Sequence, residues 1–564
     1  MPTIDVKITE LEALLRQGLD QPSLEMLLAR VKGEVKSFSK EQDTARLELN
    51  DSNRPDLWSL EGIARQIFPF PHPPAYPFFK ERADHRVIVS SEMAAIRPYL
   101  AACIARGIVV TESLLTQLIQ VQEKLADIFG QKRTAVSIGL YRLSKIVFPV
   151  FYNVENPDVA FVPLGADRPM TLAQILTDHP KGIAYAHVLK GVTRYPLLVD
   201  ANGQVLSFPP IINSLELGAV RVGDSELFVE VTGTDLRRVI LALNIFACNL
   251  FDRGAAISPV EICYPQETAL GASFTTPFDL GIAVEVPLSD FEQVLGERIT
   301  AEEARLWLSR YGHAVCEKEA CLLVTPPPYR DDVMHPVDII EDFAISRGYE
   351  TFSPRMPSEF SVGSLTPLDA LSDRLREAMI GLGFQEVTSN LLGSKEDMLH
   401  RTGLPNLQET DLVEVDNPMT ERFACLRPWI LPSLLRVESA SSKAFYPHRI
   451  FEVGEVAHLR GGVPETEIHL GALIAHPTAN FSELHAVLDA VLLSIGWRCQ
   501  LLPRSHATFI RGRAGGIQID QQKDGSRIVG LIGEIHPEVL TRWEIGMPST
   551  AFEVTLAPSK GWCM

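Results

Sequence analysis

The sequence predicts a multidomain α+β protein, and three observations lead to that class. The chain has 564 residues, 46% of them hydrophobic, which is enough for several separate cores. Strand-like apolar runs and helical patterns occur side by side along its whole length. A proline-aromatic run, FPFPHPPAYPFF, favours neither a helix nor a central strand and marks a boundary. We therefore expect folded segments at 1–90, 91–257, 276–354 and 355–564, with a linker at 258–275.

Composition and charge exclude several classes of protein. The formal net charge is −19, so binding of a nucleic acid would need a partner or a local basic face to neutralise phosphates. None of the eight cysteines has the spacing of a zinc site or a redox pair, and we expect reduced cysteines inside the cores. The longest charge-free apolar run, VILALNIFACNLF, is shorter than the roughly 20 residues that span a bilayer. We therefore expect a soluble, cytoplasmic protein.

Local patterns place elements within the second and third segments. YPLLVDANGQVLSF has two apolar runs around a turn at 200–203, which is typical of a β-hairpin. Apolar residues between 236 and 250 recur at helical spacing. Thr300 and Glu303 predict a capped helix that ends at Gly312. The third segment therefore reads as a small α+β unit.

The fourth segment predicts an antiparallel sheet with flanking helices. Thr366 is a helix N-cap, Pro367 begins the helix, and Gly383 ends it. Four strand-like runs follow, RIFEVGEVAHL, EIHLGALIAH, IVGLIGEIHP and STAFEVTL.

A short acidic stretch, YRDDVMHPVDIIEDFAISRGY at 329–349, is a candidate metal site. Asp338, Glu341 and Asp342 fall on one helical face, and Asp332 precedes the helix by a short loop. Four clustered oxygen ligands would suit Mg²⁺. Acidic residues near a helix N-terminus also interact well with the helix dipole and can simply face water. Spacing alone favours the solvated face, so it leaves the role of the stretch open.

Several motifs together resemble the phenylalanine–tRNA ligase beta-subunit family, in its shorter archaeal and eukaryotic-cytosolic form. The strongest is the acidic stretch with its flanks, PPPYRDDVMHPVDIIEDFAISRGYE. The others, in chain order, are ELNDSNRPDLWSLEGIARQI, FPPIINS with LFVEVTGTD, VDNPMTERFACLRPWILPSLL, HRIFEVGEV and GLIGEIHPEVL. The resemblance implies a B1 element at 1–90, a B3/B4 editing domain at 91–257, a B5 domain at 276–354 and a class II synthetase-like core at 355–564.

The resemblance also assigns the acidic stretch to Mg²⁺. In the family, the matching positions bind the ion at the contact with an alpha subunit. They correspond to Asp332, Asp338, Glu341 and Asp342. Asp331 has no such counterpart, and we expect it to be a solvated turn residue.

The predicted core lacks the arginines with which class II synthetases bind ATP. The closest candidate, Arg449 with Glu452, does not have the R-x-E spacing, and no Gly-rich third motif ends in arginine. We expect Arg427 and Arg449 to be surface or interface residues. The resemblance implies that an alpha subunit attaches phenylalanine to its tRNA, within a tetramer of two alpha and two beta chains, and that this chain does not itself carry out the attachment.

Hydrolytic editing is the chemistry that the resemblance implies for this chain itself. A hydrophobic pocket rejects an added hydroxyl poorly, so tyrosine attached to phenylalanine tRNA would need a second, hydrolytic site. The candidate pocket residues are Asn213, Ser214, Thr232, Thr234 and Asp235. Thr234 or Asp235 could equally be the N-cap of the helix that follows. No nucleophile pattern stands out, so hydrolysis would depend on a positioned water.

The residues leave two other functions open, as well as the role of one turn. The chain could be a scaffold subunit without editing, or a free-standing metal-dependent hydrolase that uses the acidic cluster. Arg54 and Asp56, in the NRPD turn, could position tRNA or another domain, or they could form a buried salt bridge.

Overall fold

The computed structural model describes residues 2–50, 53–68, 75–354, 356, 358–404, 412–519 and 528–556. The chain divides into two compact units, Met1–Arg355 and Met356–Met564. Each unit combines helices with β-sheets, which confirms the multidomain α+β class. The finer segment bounds within the first unit stay a prediction. The middle of the proline-aromatic run, 69–74, lies outside the described residues.

The first unit contains ten α-helices and eighteen strands among its described residues. The helices are α1 (Ile8–Leu15), α2 (Gln21–Leu28), α3 (Leu60–Ile67), α4 (Glu112–Lys124), α5 (Leu172–Asp178), α6 (Pro180–Tyr185), α7 (Leu236–Asp252), α8 (Leu288–Leu295), α9 (Ala301–Arg310) and α10 (Pro336–Arg347). The strands are β1 (Thr3–Val6), β2 (Gly33–Ser39), β3 (Thr44–Leu49), β4 (His85–Val89), β5 (Tyr99–Arg106), β6 (Val136–Arg142), β7 (Val150–Glu155), β8 (Ala160–Phe161), β9 (Met170–Thr171), β10 (Tyr195–Val199), β11 (Val205–Phe208), β12 (Ile212–Asn213), β13 (Glu226–Gly233), β14 (Ala256–Thr268), β15 (Gly271–Thr276), β16 (Val284–Pro287), β17 (Ala314–Lys318) and β18 (Cys321–Thr325).

A ten-stranded mixed sheet dominates the first unit. Its order is β12-β11-β10-β7-β4-β14-β5-β13-β6, with β15 paired to β14. Two pairings are parallel, β4 with β14 and β4 with β7. Smaller sheets of order β1-β3-β2 and β16-β18-β17 lie before and after it in the chain. The predicted hairpin at 200–203 joins β10 to β11, and the predicted helix is α7.

The predicted linker at 258–275 is wrong, because these residues form β14 and β15 of the ten-stranded sheet. Val260 and Ile262 are fully buried and flank the less buried Glu261, as in a strand with one core face. In the sequence, Pro259 and the polar residues at the end of β14 are typical of a linker between domains. Pro259 lies where the ladder of β14 with β5 ends and before the ladder with β4 begins at Val260. A residue without an N–H is tolerated at such a ladder end.

Strand β13 separates two environments of the first unit. Val229 and Val231 are buried in a core that also contains the apolar face of α7. Glu230 and Thr232 alternate with them and point to the opposite face, since side chains alternate along a strand. Both are buried as well. A carboxylate buried in mid-strand requires polar partners on that face.

The second unit contains nine strands, seven of them in one sheet, and four α-helices among its described residues. Its strands are β19 (Gln385–Glu386), β20 (Leu392–Gly393), β21 (Cys425–Leu426), β22 (His448–Arg460), β23 (Val463–Ala475), β24 (Cys499–Pro503), β25 (Phe509–Ile519), β26 (Ile528–Ile535) and β27 (Ser549–Thr555), and its helices are α11 (Pro367–Gly381), α12 (Leu431–Ala440), α13 (Phe481–Ser494) and α14 (Pro537–Arg542). The sheet order is β19-β22-β23-β27-β26-β25-β24, and every pairing except β19 with β22 is antiparallel. Strands β20 and β21 pair separately.

Both ends of helix α11 agree with the ends predicted from the sequence. The Thr366 side chain accepts a hydrogen bond from the Asp369 N–H at the start of α11, and Gly383 follows its end at a φ of 83°. Across the described parts of the chain, no helix is both long enough and apolar enough to cross a membrane.

Candidate functional site

Arg330 holds two of the four predicted Mg²⁺ ligands. Its guanidinium lies 2.6 Å from Asp342 Oδ2 on one side and 2.6 Å from Asp332 Oδ2 on the other. His313 Nε2 lies 2.7 Å from the same Asp342 oxygen, and Arg54 approaches Asp332 at 4.0 Å. Burial alone would raise the pKa of Asp342, but the Arg330 charge and the His313 hydrogen bond outweigh it and hold that pKa well below its usual value. Both carboxylates are therefore ionised and already neutralised by this chain.

The other two predicted ligands point to different partners. Asp338 Oδ2 accepts hydrogen bonds from the N–H groups of Met334 and His335, each at 2.8 Å, and so caps the start of α10. Glu341 is half-exposed and pairs with Lys32 at 2.8 Å.

As placed, these four side chains do not fit one Mg²⁺ ion. Among the described residues, three metal-ligating groups come within 4.8 Å of one another in two places, and neither place includes them. Shared ligation of Mg²⁺ stays a prediction. Asp331, expected to be solvated, instead pairs with Arg237. The NRPD turn contains the buried salt bridge that was one of its two alternatives, because Arg54 and Asp56 contact at 2.8 Å and are both buried.

A cavity of about 330 Å³ lies beside strands β6, β11 and β13 of the ten-stranded sheet. Most of its wall is apolar, including Ile138, Leu140 and Ile211. The polar side chains that line it are Gln122, Glu123, Arg133, Ser137, Tyr141, His179, Lys181, Ser207, Asn213 and Glu230. A mostly apolar cavity with a few converging polar groups is typical of small-molecule sites.

Glu230 is the buried carboxyl group of this cavity. The Tyr141 hydroxyl lies 2.6 Å from Glu230 Oε2 and 2.8 Å from Ser207 Oγ. Burial raises the pKa of Glu230 to about 7, although the hydrogen bond from Tyr141 and the charge of Arg97 oppose the shift. Gly139 faces Glu230 across the β13–β6 ladder, and a Cβ there would lie 2.2 Å from Glu230 Oε2. Only glycine leaves room for the carboxylate at this position.

One predicted editing residue lines the cavity and the other four lie beside it or away from it. Asn213 is in the wall, and its amide donates to Leu140 O at 3.2 Å. Ser214 Oγ accepts from the Leu217 N–H and is outside the wall. Thr232 is buried against Arg97, which donates to its hydroxyl at 3.0 Å and to its carbonyl at 2.6 Å.

The last two predicted residues, Thr234 and Asp235, lie at the start of α7. Asp235 Oδ1 accepts from the Arg238 N–H, which is the N-cap role left open by the sequence. Thr234 is exposed and donates to Thr134 O at 3.3 Å. Neither residue lines the cavity.

Sequence reasoning missed Glu230, Tyr141 and Ser207. One signal was available, since Glu230 is the charged residue in the middle of the apolar run LFVEV. A charge at the centre of a buried strand must be compensated, and such positions are often functional. Tyr141 and Ser207 carried no comparable signal, because their role depends on which strands meet.

The raised pKa of Glu230 predicts a specific pH dependence of stability. The folded chain keeps a proton that the unfolded chain loses above its pKa of 4.5, so this contribution is complete below pH 4.5 and is lost as the pH rises through about 7. The loss is up to about 1.4 kcal/mol per pH unit in that window. We expect thermal unfolding midpoints of Glu230→Gln to fall less than those of the natural chain between pH 5 and 7. Parallel curves would contradict the buried, protonated state.

The arginines of the second unit also have partners within the chain. Arg427 is buried rather than at the surface, and its guanidinium lies 2.8 Å from Glu452 and 2.7 Å from Ser389 Oγ. Arg449 pairs with Glu483 at 2.8 Å. Both are therefore engaged in ion pairs inside this unit, and the surface expectation for Arg427 is wrong.

Two family models match the chain, a tRNA synthetase B5 domain over residues 284–349 and a phenylalanyl-tRNA synthetase beta chain CLM domain over residues 353–556. Together with the α+β architecture, they define a subunit of an aminoacyl-tRNA synthetase. The chain belongs to the family of phenylalanine–tRNA ligase beta subunits, because it is 37% identical over 570 residues to that subunit from Borrelia hermsii, with 99% of both chains covered.

Further relatives agree with this assignment. The beta subunit of phenylalanine–tRNA ligase from Borreliella burgdorferi strain ZS7 is 37% identical over 541 residues, with 94% of each chain covered. The crystal structure of an N-terminal fragment of the phenylalanyl-tRNA synthetase beta subunit from Pyrococcus horikoshii has a TM-score of 0.59 and 35% identity. It covers 62% of this chain and all of the fragment. The family predicted from the ordered motifs is confirmed.

Proposed function

We propose that this chain assembles with an alpha subunit as two alpha and two beta chains, and that it removes tyrosine wrongly attached to phenylalanine tRNA. The alpha subunit would carry out ATP-dependent attachment of phenylalanine. The observation that supports editing most directly is the buried Glu230–Tyr141–Ser207 group in the wall of an otherwise apolar cavity. A scaffold role without editing would give no reason to bury a carboxyl group there.

The cavity has the chemistry to distinguish tyrosine from phenylalanine. An apolar wall accepts either aromatic ring, while the Glu230 carboxyl group can accept a hydrogen bond from a phenol. A site built to bind a hydroxyl rejects the ligand that lacks it far more strongly than an apolar pocket rejects an extra hydroxyl, because its buried polar groups are left unpaired. Phenylalanine attached to its proper tRNA would therefore be spared.

Basic side chains in the same wall suit the acceptor end of a tRNA. Arg133, His179 and Lys181 line the cavity together with Glu230. Arginine and lysine commonly contact phosphate oxygens and so fix the register of a nucleic acid without reading its bases. In this proposal they position the ester bond, and a water held beside it performs hydrolysis. These side chains supply the local positive charge that a chain with a net charge of −19 needs in order to bind a nucleic acid.

The acidic helix α10 is proposed to be structural. In this chain the Arg330 guanidinium lies between Asp332 and Asp342, where a shared Mg²⁺ would need to bind. The proposal assigns no step to the ion. The free-standing hydrolase alternative, which needs these carboxylates open to a metal, has no support from their pairing.

ATP–pyrophosphate exchange, measured with and without the alpha subunit, tests the proposed role of this chain. We expect no phenylalanine-dependent ATP–pyrophosphate exchange from this chain alone, because its core lacks the motif arginines that bind ATP phosphates. Exchange should appear when the alpha subunit is added. Robust exchange by the isolated chain, purified from a host whose own ligase is removed by affinity tagging, would overturn the proposal.

A further inference from the structure

A group of two histidines and a glutamate lies on the sheet of the second unit, outside the sites described above. His458 is on β22, and Glu467 and His469 are on β23. One ligand atom from each lies within 4.8 Å of those of the other two. Glu467 and His469 are buried, and His458 is partly buried. We propose that these three side chains bind Zn²⁺, independently of the proposed editing function.

The donor set and its spacing suit zinc. Two imidazoles and one carboxylate are ordinary Zn²⁺ ligands, and a site with three protein ligands keeps a fourth position open. His469 Nε2 lies 3.4 Å from Glu467 Oε2. Donors bound tetrahedrally at the usual Zn–N and Zn–O lengths are separated by about 3.3 Å. A charge-assisted hydrogen bond would be shorter, about 2.7–2.9 Å, so the observed gap suits a shared ion better than a shared proton.

A second carboxylate fixes the orientation of His469. Glu553 Oε1 lies 2.7 Å from His469 Nδ1, and both residues are buried. Metal-binding histidines commonly donate their other ring N–H to a carboxylate, which sets the tautomer and aims the free nitrogen at the metal. Here that contact leaves Nε2 facing Glu467 and the Thr555 hydroxyl at 3.1 Å.

The local charge also favours a divalent cation. With both histidines neutral, Glu467 and Glu553 carry two negative charges, and Arg460 returns one positive charge at 2.5 Å from Glu467 Oε1. Arg460 has Glu465 as another partner at 3.7 Å, so it need not leave the region when Glu467 binds a metal. The competitor in the metal-free chain is a proton on His469, whose pKa is lowered by burial but raised further, to about 9, by Glu467 and Glu553.

The proposed zinc site lies beside a cavity, towards which the fourth coordination position would be open. A space of about 450 Å³ in the second unit is lined by His458, His469 and Thr555, and also by Trp429 and His506. A zinc ion here would present its free coordination position to a space that is large enough for a small ligand. The aromatic side chain of Trp429 would then form part of a ligand cavity.

Zinc titration of the full-length, chelator-treated chain tests the site. In competition with a chromophoric chelator, the natural chain should bind Zn²⁺, and His458→Gln and Glu467→Gln should each weaken that binding at least tenfold. His485→Ala is the matched control, since His485, Asp489 and Cys499 form the other group of potential ligands among the described residues. It should leave the affinity unchanged. Equal affinity of His458→Gln and the natural chain would overturn the proposal, as would loss of binding in His485→Ala.

Two further measurements test whether the variants are folded and whether the metal binds to cysteine thiols instead. Thermal unfolding without metal should give the same midpoint for His458→Gln and the natural chain, and added Zn²⁺ should raise the midpoint of the natural chain only. Co²⁺ in place of Zn²⁺ should give d–d absorption without a thiolate charge-transfer band, because the ligands are nitrogen and oxygen. A thiolate band would assign the ion to a cysteine and overturn the proposal.

Discussion

Glu230→Gln is expected to lower kcat/KM for hydrolysis of tyrosine-loaded phenylalanine tRNA by about 10- to 100-fold in the assembled ligase at pH 8, where Glu230 is ionised because its pKa is about 7. A hydrogen bond to a charged group contributes about 1.5–3 kcal/mol, and each 1.4 kcal/mol is a factor of ten. Glutamine keeps the shape of the side chain beside Tyr141 but removes the charge that would accept from the substrate phenol. Attachment of phenylalanine, measured in the same preparation, should not change.

Two other variants make this result specific to the cavity. Tyr141→Phe removes the hydroxyl that orients Glu230, and we expect a smaller loss of hydrolysis. Asp235→Ala removes an exposed N-cap on α7, which costs about 1 kcal/mol of stability and should leave hydrolysis intact. Normal hydrolysis by Glu230→Gln would remove Glu230 from the proposed pocket. Absence of hydrolysis in the natural ligase would favour the scaffold alternative.

Local sequence patterns predicted helices and strands. The residues that line the cavity depend instead on pairing between strands that are far apart in the sequence. The apolar recurrence after 236 predicted α7, and the structure has that helix at Leu236–Asp252. The family resemblance selected the motif that contains Thr232 and Asp235, and these residues were assigned to the pocket because their side chains can form hydrogen bonds. Strand β13 turns Thr232 towards Arg97, and the helix start uses Asp235 as its cap. The partner of Glu230, Tyr141, comes from β6, 89 residues earlier in the chain, and Ser207, which contacts the Tyr141 hydroxyl, comes from β11. No local pattern contains that information.

The acidic helix illustrates the same limit for electrostatics. Spacing correctly predicted a helix over this stretch, which begins at Pro336. It could not predict that Asp342 would be buried beside His313 while Glu341, one position earlier, would reach Lys32. Neighbouring residues on a helix point about 100° apart, so a set chosen by spacing can still be divided between the core and the surface. Counter-charges from distant parts of the chain then determine what each carboxylate binds.

Arg330→Gln is expected to destabilise the first unit by about 3–5 kcal/mol, because it leaves Asp332 and Asp342 as buried charges without their main partner. Arg237→Gln is the matched control. It breaks the exposed pair with Asp331, and such surface pairs contribute about 0–1 kcal/mol. Thermal unfolding of the full-length chain compares the two variants. A similar small effect of both would show that Arg330 is not the main counter-charge.

Addition of Mg²⁺ tests whether Arg330 or the metal ion is the cation that neutralises Asp332 and Asp342. If Arg330 takes the position of the ion, Mg²⁺ should not shift the unfolding midpoint of the natural chain. It should raise the midpoint of Arg330→Gln by binding the two carboxylates that are left without their arginine partner. Removing the carboxylates as well, in Arg330→Gln with Asp332→Asn and Asp342→Asn, should abolish the rescue. A midpoint of the natural chain that rises with Mg²⁺, and that stops rising in Asp332→Asn with Asp342→Asn, would instead mean that the ion displaces Arg330. The four-carboxylate Mg²⁺ site implied by the family would then hold for this chain.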